Sequence, residues 1–396
     1  MDEFNYILVS RFGGAGDLLM AEPTIEALYY KFAPARIILR TYCDYEWVLS
    51  DHPLIWKTIL DDFKCRTYGF LESGIIQTDL NGTLPAPERI THINLSDAVE
   101  VLNGIHGIEA FSGMANAKPL RKTPSFGHYD FPLNHKIVVQ LRSMKDTRDL
   151  LKSDLPMHLL EDATFIEGEM DPKEFRNLIA GADMFIGPDS SGLHIAHAAG
   201  VRKIVGLYAP GFPYGLRAYP GIQVATNTEE LAWKIQAALE EPKYPEWVHT
   251  GDAIGFIKGE ALTHCRGRGL DVGANAWPFP GAVAIETEYQ RDKFNEGPFD
   301  FIVSSHCLEH ISEWQAELKL WAESVRVGGT VFIYLPHPRM ELWLPGSPWV
   351  GEYHVWSPEP NSLVKWLNEN TSLQVDEYSC YPDSMWSFYI VARRTK

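Results

Sequence analysis

Asp17 closes the run Arg11-Phe-Gly-Gly-Ala-Gly-Asp17, which follows the apolar stretch Tyr6 to Val9 and precedes Ile25, Leu28, Tyr29 and Phe32 at helical spacing. That order reads as a buried parallel strand, a tight glycine turn and a helix. Enzymes of the α/β class gather their chemistry at the carboxyl ends of such strands. A carboxylate there, beside backbone kept bare by Gly13, Gly14 and Gly16, can approach a substrate closely and take a proton from a hydroxyl. The same position also suits a cap on the helix N-terminus, so Asp17 has two readings.

The stretch from Asp183 to Pro210 reads as strand, polar loop, small-residue helix, glycine turn and strand. Ser190, Ser191 and Gly192 fall just before the helix His194 to Ala199. Their backbone N–H groups and the helix dipole therefore offer a place for a diphosphate. His194, on the first turn, either faces a ligand there or packs between helices. Upstream, the strand Lys136 to Leu141 leads into Arg142, Lys145 and Arg148, a basic cluster on an acidic chain that suits a pyrophosphate or plain solvation.

Arg11 with Gly16 and Asp17 fits an Arg-x-x-x-x-Gly-Asp opening, and Asp189, Ser190 and His194 fit a later Asp-Ser-Gly-x-x-His loop. On these two ordered motifs, roughly residues 1 to 240 resemble the ADP-heptose:lipopolysaccharide heptosyltransferase family. Ser191 and Gly192 stand where that family usually has Gly-Pro, and the region is shorter than a typical member. The resemblance implies two Rossmann-like domains of a GT-B type glycosyltransferase, 1–130 on the acceptor side and 131–245 for the nucleotide sugar. It implies metal-independent, inverting transfer from a nucleotide-diphosphate sugar, with Asp17 as general base. Arg11, Gly14, Gly16, Arg142, Lys145, Asp189, Ser190, Ser191, Gly192 and His194 would then contact the donor.

After the proline-bearing stretch Glu240 to Glu246, which reads as a linker, Gly269 to Glu286 gives strand, loop, strand with an acidic end. Phe299 to His310 gives a further strand and its loop, and Arg326 to Pro336 another. This order resembles the class I S-adenosylmethionine-dependent methyltransferases. By that resemblance Asp271, Gly273, Ala274, Asn275 and Glu286 would hold the cofactor, Glu286 at its ribose, with Ser305, His306 and Leu308 lining the site. Ala274, Asn275 and Ala276 replace further glycines, and the interval Glu286 to Phe299 is too short for the usual helix and strand. A small, shortened Rossmann-like domain over 246–396 is the expectation, trimmed on its adenine side.

His306-Cys-Leu-Glu-His310 matches the H-x-x-E-H pattern of inverted zinc peptidases, which requires a helix to present both histidines on one face. Here it directly follows a strand, and no metal is expected. The aromatic and proline-rich stretch Glu341 to Trp356 reads as an insertion over the sheet ends. Trp343, Trp349, Tyr353 and Trp356 suit a sugar platform, a loop packed on itself, or a subunit contact.

With 396 residues the chain suits two or three domains, and its net charge of −17 argues against a nonspecific nucleic-acid partner. No apolar run approaches membrane-spanning length, although peripheral membrane contact stays open. Cys43, Cys65, Cys265, Cys307 and Cys380 are few and unclustered, which reads as reduced thiols in the cytoplasm. The fold class expected is α/β throughout. The function expected is bifunctional carbohydrate modification: glycosyl transfer to a glycan or small acceptor, plus methyl transfer from S-adenosylmethionine. The alternatives are a glycosyltransferase with an inactive docking module, and a methyltransferase with a sugar-binding scaffold. The oligomeric state is not legible.

Overall fold

The computed structural model describes residues 4–61, 89–96, 98, 105–143, 149–208, 218–240, 252–275, 278–286 and 290–396. The chain divides into two compact units, 1–238 and 239–396. The first unit holds two parallel sheets. Its first sheet takes β1 (Asn5–Ser10), β2 (Ala35–Tyr42), β3 (Ile55–Asp61) and β4 (Ile90–Asn94) in the order β3-β2-β1-β4. Its second takes β5 (His135–Gln140), β6 (Thr164–Ile166), β7 (Ala182–Pro188), β8 (Lys203–Leu207) and β9 (Ile222–Ala225) in the order β6-β5-β7-β8-β9.

A parallel sheet is covered on both faces, so its central strands read as continuous apolar runs. Tyr6, Ile7, Leu8 and Val9 in β1 and Phe185 and Ile186 in β7 are all buried. The helix Ala15–Lys31 buries Leu18, Leu19, Met20, Ala21, Ile25 and Leu28, more than one apolar stripe. It needs them because it packs against its own sheet and also against the helix Ser191–Ala198 of the second sheet. One apolar core therefore runs from Val9 and Leu39 through these helices to Val138, Phe185 and Ile204.

The second unit is a six-stranded sheet of β10 (Gly269–Val272), β11 (Ala282–Ile285), β12 (Phe299–Ser305), β13 (Val325–Pro336), β14 (Leu373–Tyr378) and β15 (Ser387–Arg394). The order is β11-β10-β12-β13-β15-β14, parallel except for β15, which runs antiparallel to β13 and β14. Between β11 and β12 the described residues form only a 3-10 turn, Arg291–Glu296, so β11 stays the edge strand. The architecture is α/β with parallel sheets in both units. Among the described residues no helix is long and apolar enough to cross a membrane.

Candidate functional site

Each sheet reverses its order of strand addition between two neighbouring parallel strands, and the crevice outside the carboxyl ends at such a reversal is where α/β proteins bind ligands. In the first sheet the reversal lies between β1 and β4, in the second between β5 and β7, and in the last between β10 and β12. The residues singled out in the sequence stand at these three places.

At the end of β1, Arg11 N–H donates to the Arg40 carbonyl at 3.0 Å and Phe12 N–H to Ser96 Oγ at 2.9 Å, which ties the turn to both neighbouring strand ends. Gly14 caps the helix Ala15–Lys31, and Asp17 Oδ2 accepts the Gly14 N–H at 2.9 Å. Asp17 Oδ1 lies 3.3 Å from Arg11 Nη2, and the Arg11 guanidinium sits 4.6 Å over the Phe111 ring. Asp17 is thus a helix cap, held by Gly14 and Arg11 yet 33% exposed.

At the end of β7, Asp189 is buried and Ser190 takes the N-cap position of the helix Ser191–Ala198. Ser190 Oγ donates to Gln140 Oε1 at 3.1 Å, while Gln140 Nε2 donates to the Arg142 carbonyl at 2.6 Å. Gln140, at the end of β5, therefore joins both sides of the reversal. No sequence motif marks it. Gly192 makes room for it: a Cβ at that position would come 2.1 Å from Gln140 Oε1. Ser191 and Gly192 present the first N–H groups of the helix beside this amide. Arg142 is exposed at the same strand end, and Lys145 lies outside the described residues.

His194 is buried rather than open, and its Nδ1 lies 2.7 Å from Tyr219 Oη. The Tyr219 ring also meets His106 and His197 at centroid distances of 5.5 and 4.8 Å. Burial pushes the Tyr219 hydroxyl well above its ordinary value and the His197 ring down to about 4, so both are neutral near pH 7. His194 packs against the turn at Gly16, so the two motifs meet in one place.

A second feature of the helix Ala15–Lys31 escaped the sequence reading. Glu22 is fully buried, paired with Arg121 and with His52 at 3.1 Å, and accepts the Ser125 N–H at 2.9 Å. Burial alone would raise Glu22, but Arg121 and His52 bring it down to about 2. Arg121 also reaches Glu26 at 3.3 Å. Two carboxylates four residues apart inside an apolar helical run were the available clue.

In the second unit, Asp271 is buried at the end of β10 and Oδ2 accepts the Phe279 N–H at 2.6 Å. Burial pushes Asp271 up to about 6, the Phe279 N–H opposes that, and the Glu286 charge adds to it. Gly273 adopts φ +79°, and a Cβ there would come 2.5 Å from Cys307 Sγ. Ala274 is buried behind it. Asn275, at φ 46°, donates its N–H to Glu286 Oε1 at 3.0 Å, which draws the exposed Glu286 carboxylate over the loop. Opposite, Ser305 Oγ is buried with no hydrogen-bond partner among the described residues. A left-handed glycine, an exposed carboxylate at the second strand end and an unsatisfied hydroxyl make a set of groups that fits a ribose-bearing cofactor.

His306, at φ 49°, stands between Tyr334 and Trp343 with Nε2 at 2.8 Å from Ser387 Oγ. Burial lowers its ring to about 3. Leu308 is fully buried, and its carbonyl accepts the Trp356 Nε1–H at 2.9 Å. Glu309 is also fully buried, and burial raises it to about 8. The aromatic stretch divides: Trp343 is core, Trp356 stacks on Trp314 at 4.7 Å, and Trp349 and Tyr353 are exposed.

A family model described as glycosyltransferase family 9 (heptosyltransferase) matches residues 135–237. A second, described as a methyltransferase domain, matches residues 254–377. No curated protein matches the chain. Among solved structures, the Escherichia coli heptosyltransferase WaaC with ADP is 10% identical, covering 59% of this chain and 98% of its own, with a TM-score of 0.43. The glycosyl transferase family 9 protein from Veillonella parvula DSM 2008 is 15% identical, covering 60% and 98%, with a TM-score of 0.45. The E. coli ADP-heptose lps heptosyltransferase II is 14% identical, covering 59% and 98%, with a TM-score of 0.42. By the two family matches the chain is a transferase that joins a glycosyltransferase family 9 (heptosyltransferase) region to a methyltransferase domain.

Proposed function

We propose that the chain is a bifunctional carbohydrate-modifying enzyme. Its first unit transfers a sugar from a nucleotide diphosphate to a glycan or small acceptor with inversion, and its second unit transfers a methyl group from S-adenosylmethionine. The observation that carries the first half is the meeting of the Asp17 turn and the Ser190–His194 loop through Gly16 and His194, at the reversal points of two sheets.

In this reading the diphosphate lies against the N–H groups of Ser191 and Gly192, with Ser190 and Arg142 beside it. The Asp17 carboxylate takes the acceptor hydroxyl proton as that oxygen bonds to the anomeric carbon. The bond from the anomeric carbon to the diphosphate oxygen breaks with its electron pair on the nucleotide. Helix N–H groups and Arg142 stabilise that charge without a protein-bound metal. Arg11, by holding Asp17 Oδ1, and Gly14, by donating to Oδ2, fix the carboxylate's orientation.

In the second unit, bound S-adenosylmethionine supplies an already activated methyl sulfonium. Glu286, held by the Asn275 N–H, would accept from its ribose hydroxyls, and Ser305 and His306 would shape the opposite wall. What remains for the chain is to position the acceptor in line with the methyl group. The test is nucleotide release from ADP-, UDP- and GDP-sugars, ADP first because of the heptosyltransferase resemblance, run beside S-adenosylmethionine binding. Release of none of the three nucleotides, with no binding of any, would remove the glycosyl half. Absence of cofactor binding would remove the methyl half.

A further inference from the structure

Glu309 presents a problem of charge and hydrogen bonding that its own unit does not solve. Its side chain is 0% exposed, and among the described residues no other residue donates a hydrogen bond to either carboxylate oxygen, which leaves its own backbone N–H as the donor that faces it. An unsatisfied buried carboxylate is among the costliest arrangements a fold can keep. Three imidazoles surround it. His306 Nδ1 lies 3.6 Å, His354 Nε2 3.8 Å and His310 Nε2 3.9 Å from Glu309 Oε1.

The other nitrogen of each ring says which atom carries a proton. His310 Nδ1 lies 2.8 Å from the Tyr353 carbonyl, and His354 Nδ1 lies 2.7 Å from the Trp343 carbonyl. A carbonyl only accepts, so each Nδ1 is the donor, and in the neutral rings the two Nε2 atoms carry lone pairs. His306 follows suit. Ser387 Oγ donates to the Met385 carbonyl at 3.1 Å and so accepts from His306 Nε2, leaving the His306 Nδ1 lone pair toward Glu309. As a carboxylate, Glu309 is therefore ringed by lone pairs where hydrogen-bond donors would be needed, and as the neutral acid it can offer its one proton to only one of the three rings.

Such a set wants a positive centre. Imidazoles whose second nitrogen is held by a backbone carbonyl are the usual form of metal-ligating histidine, because that bond fixes both tautomer and ring direction. Ligand atoms of Glu309, His310 and His354 all lie within 4.8 Å of one another. Ligand atoms at about 2.1 Å from a tetrahedral ion lie about 3.4 Å apart, so His310 and His354, at 3.9 and 3.8 Å from Glu309 Oε1, need to close on it by about half an ångström, and the two imidazole nitrogens, within 4.8 Å of each other, by up to about 1.4 Å. The segment that brings His354 is fastened to the same turn, with Val355 N–H donating to the Glu309 carbonyl at 2.9 Å and Trp356 Nε1 to the Leu308 carbonyl at 2.9 Å.

We propose that Glu309, His310 and His354, with His306 beside them, form a site for a divalent transition-metal cation such as Zn²⁺ or Mn²⁺ in the methyltransferase domain. The donor set of imidazole nitrogens and one carboxylate selects such ions over Mg²⁺ or Ca²⁺. The sequence expectation of no metal rests on the H-x-x-E-H stretch following a strand rather than lying on a helix, and the proposal departs from it by adding His354 from a distant segment. His354 completes a site that the H-x-x-E-H stretch begins. The cluster follows the end of β12, two residues beyond Cys307, which packs on Gly273 of the cofactor loop. Open positions on the ion then take an oxygen of the methyl acceptor, a role that rests on the methyltransferase reading.

The test uses the full chain, stripped with a chelator and titrated with Zn²⁺ or Mn²⁺ alone, with bound metal measured by mass spectrometry. One equivalent is expected to bind, and Glu309→Gln and His354→Ala are each expected to weaken it at least about tenfold. Glu260→Gln, in the separate Glu260, His264 and Glu377 group, leaves that affinity unchanged. Circular dichroism checks folding, and the more exposed His310→Ala replaces any variant that does not fold. Absence of saturable binding up to roughly 100 µM, far above the affinity of structural sites, means that a shared proton serves Glu309 and overturns the proposal. Unchanged affinity in the folded variants overturns it equally. S-adenosylmethionine is titrated separately into the stripped chain, so a missing cofactor signal counts against the methyltransferase reading and a missing metal signal counts against the cation site.

Discussion

The ring of His194 lies against the backbone of Gly16, so close that a Cβ at Gly16 would come 2.7 Å from His194 Cδ2. Two segments nearly 180 residues apart are thereby fitted to each other, with Tyr219 holding the far side of the ring. Gly16→Ala should cost about 1–3 kcal/mol by overpacking, offset in part by about 1 kcal/mol of helix propensity. Placed on His194→Ala, the same change should cost almost nothing or stabilise. Chemical denaturation of the two single variants and the double variant measures the coupling; simple additivity would mean that the contact does not govern the turn.

Asp17→Asn should separate capping from chemistry. The amide oxygen still accepts the Gly14 N–H, so stability should change by less than about 1 kcal/mol. Nucleotide affinity should stay within a few fold while sugar transfer falls roughly 10²-fold or more. Near-normal turnover would leave Asp17 a cap alone.

Glu22 makes stability depend on pH. Its folded value of about 2 lies below the ordinary 4.5, so its contribution is present above about pH 4.5 and is lost as pH falls toward 2. Glu22→Gln leaves the buried Arg121 with Glu26, at 3.3 Å, as its charged partner and should cost about 1–3 kcal/mol near pH 7. That difference should shrink between pH 4.5 and 2 as the wild-type group takes up a proton. A difference independent of pH, followed by thermal melting of both chains, would show that Arg121 and His52 do not hold Glu22 ionised.

Glu286→Ala should weaken S-adenosylmethionine by about 1–3 kcal/mol through lost charged hydrogen bonds. Glu286→Gln keeps an acceptor for Asn275 N–H and should lie between wild type and Ala. Equal cofactor affinity in all three, by calorimetry, would move the ribose away from the end of β11.

The strands expected at Tyr6–Val9, at Lys136–Leu141 and at the start of Phe299–His310 coincide with β1, β5 and β12, with Leu141 one residue past the end of β5, because central parallel strands must be apolar on both faces and say so in sequence. The glycines were less transparent. Gly16, Gly192 and Gly273 read as bare backbone for a ligand, yet the space a Cβ would fill belongs to His194, Gln140 and Cys307. Each serves first to let another side chain of its own site come near. Gln140, Tyr219 and His354 were invisible for the converse reason: each acts through a partner distant in sequence, and only the assembled strand ends bring them together.

Calorimetric titration of the intact chain with ADP, UDP and GDP, and separately with S-adenosylmethionine, tests the two-activity account most directly. The account predicts that at least one nucleoside diphosphate and the cofactor each bind saturably. Ser190→Ala should weaken only the nucleotide, by about 1–2 kcal/mol, and Glu286→Ala only the cofactor. No binding of any nucleoside diphosphate at millimolar concentration, or a nucleotide affinity indifferent to Ser190 and His194, would contradict it.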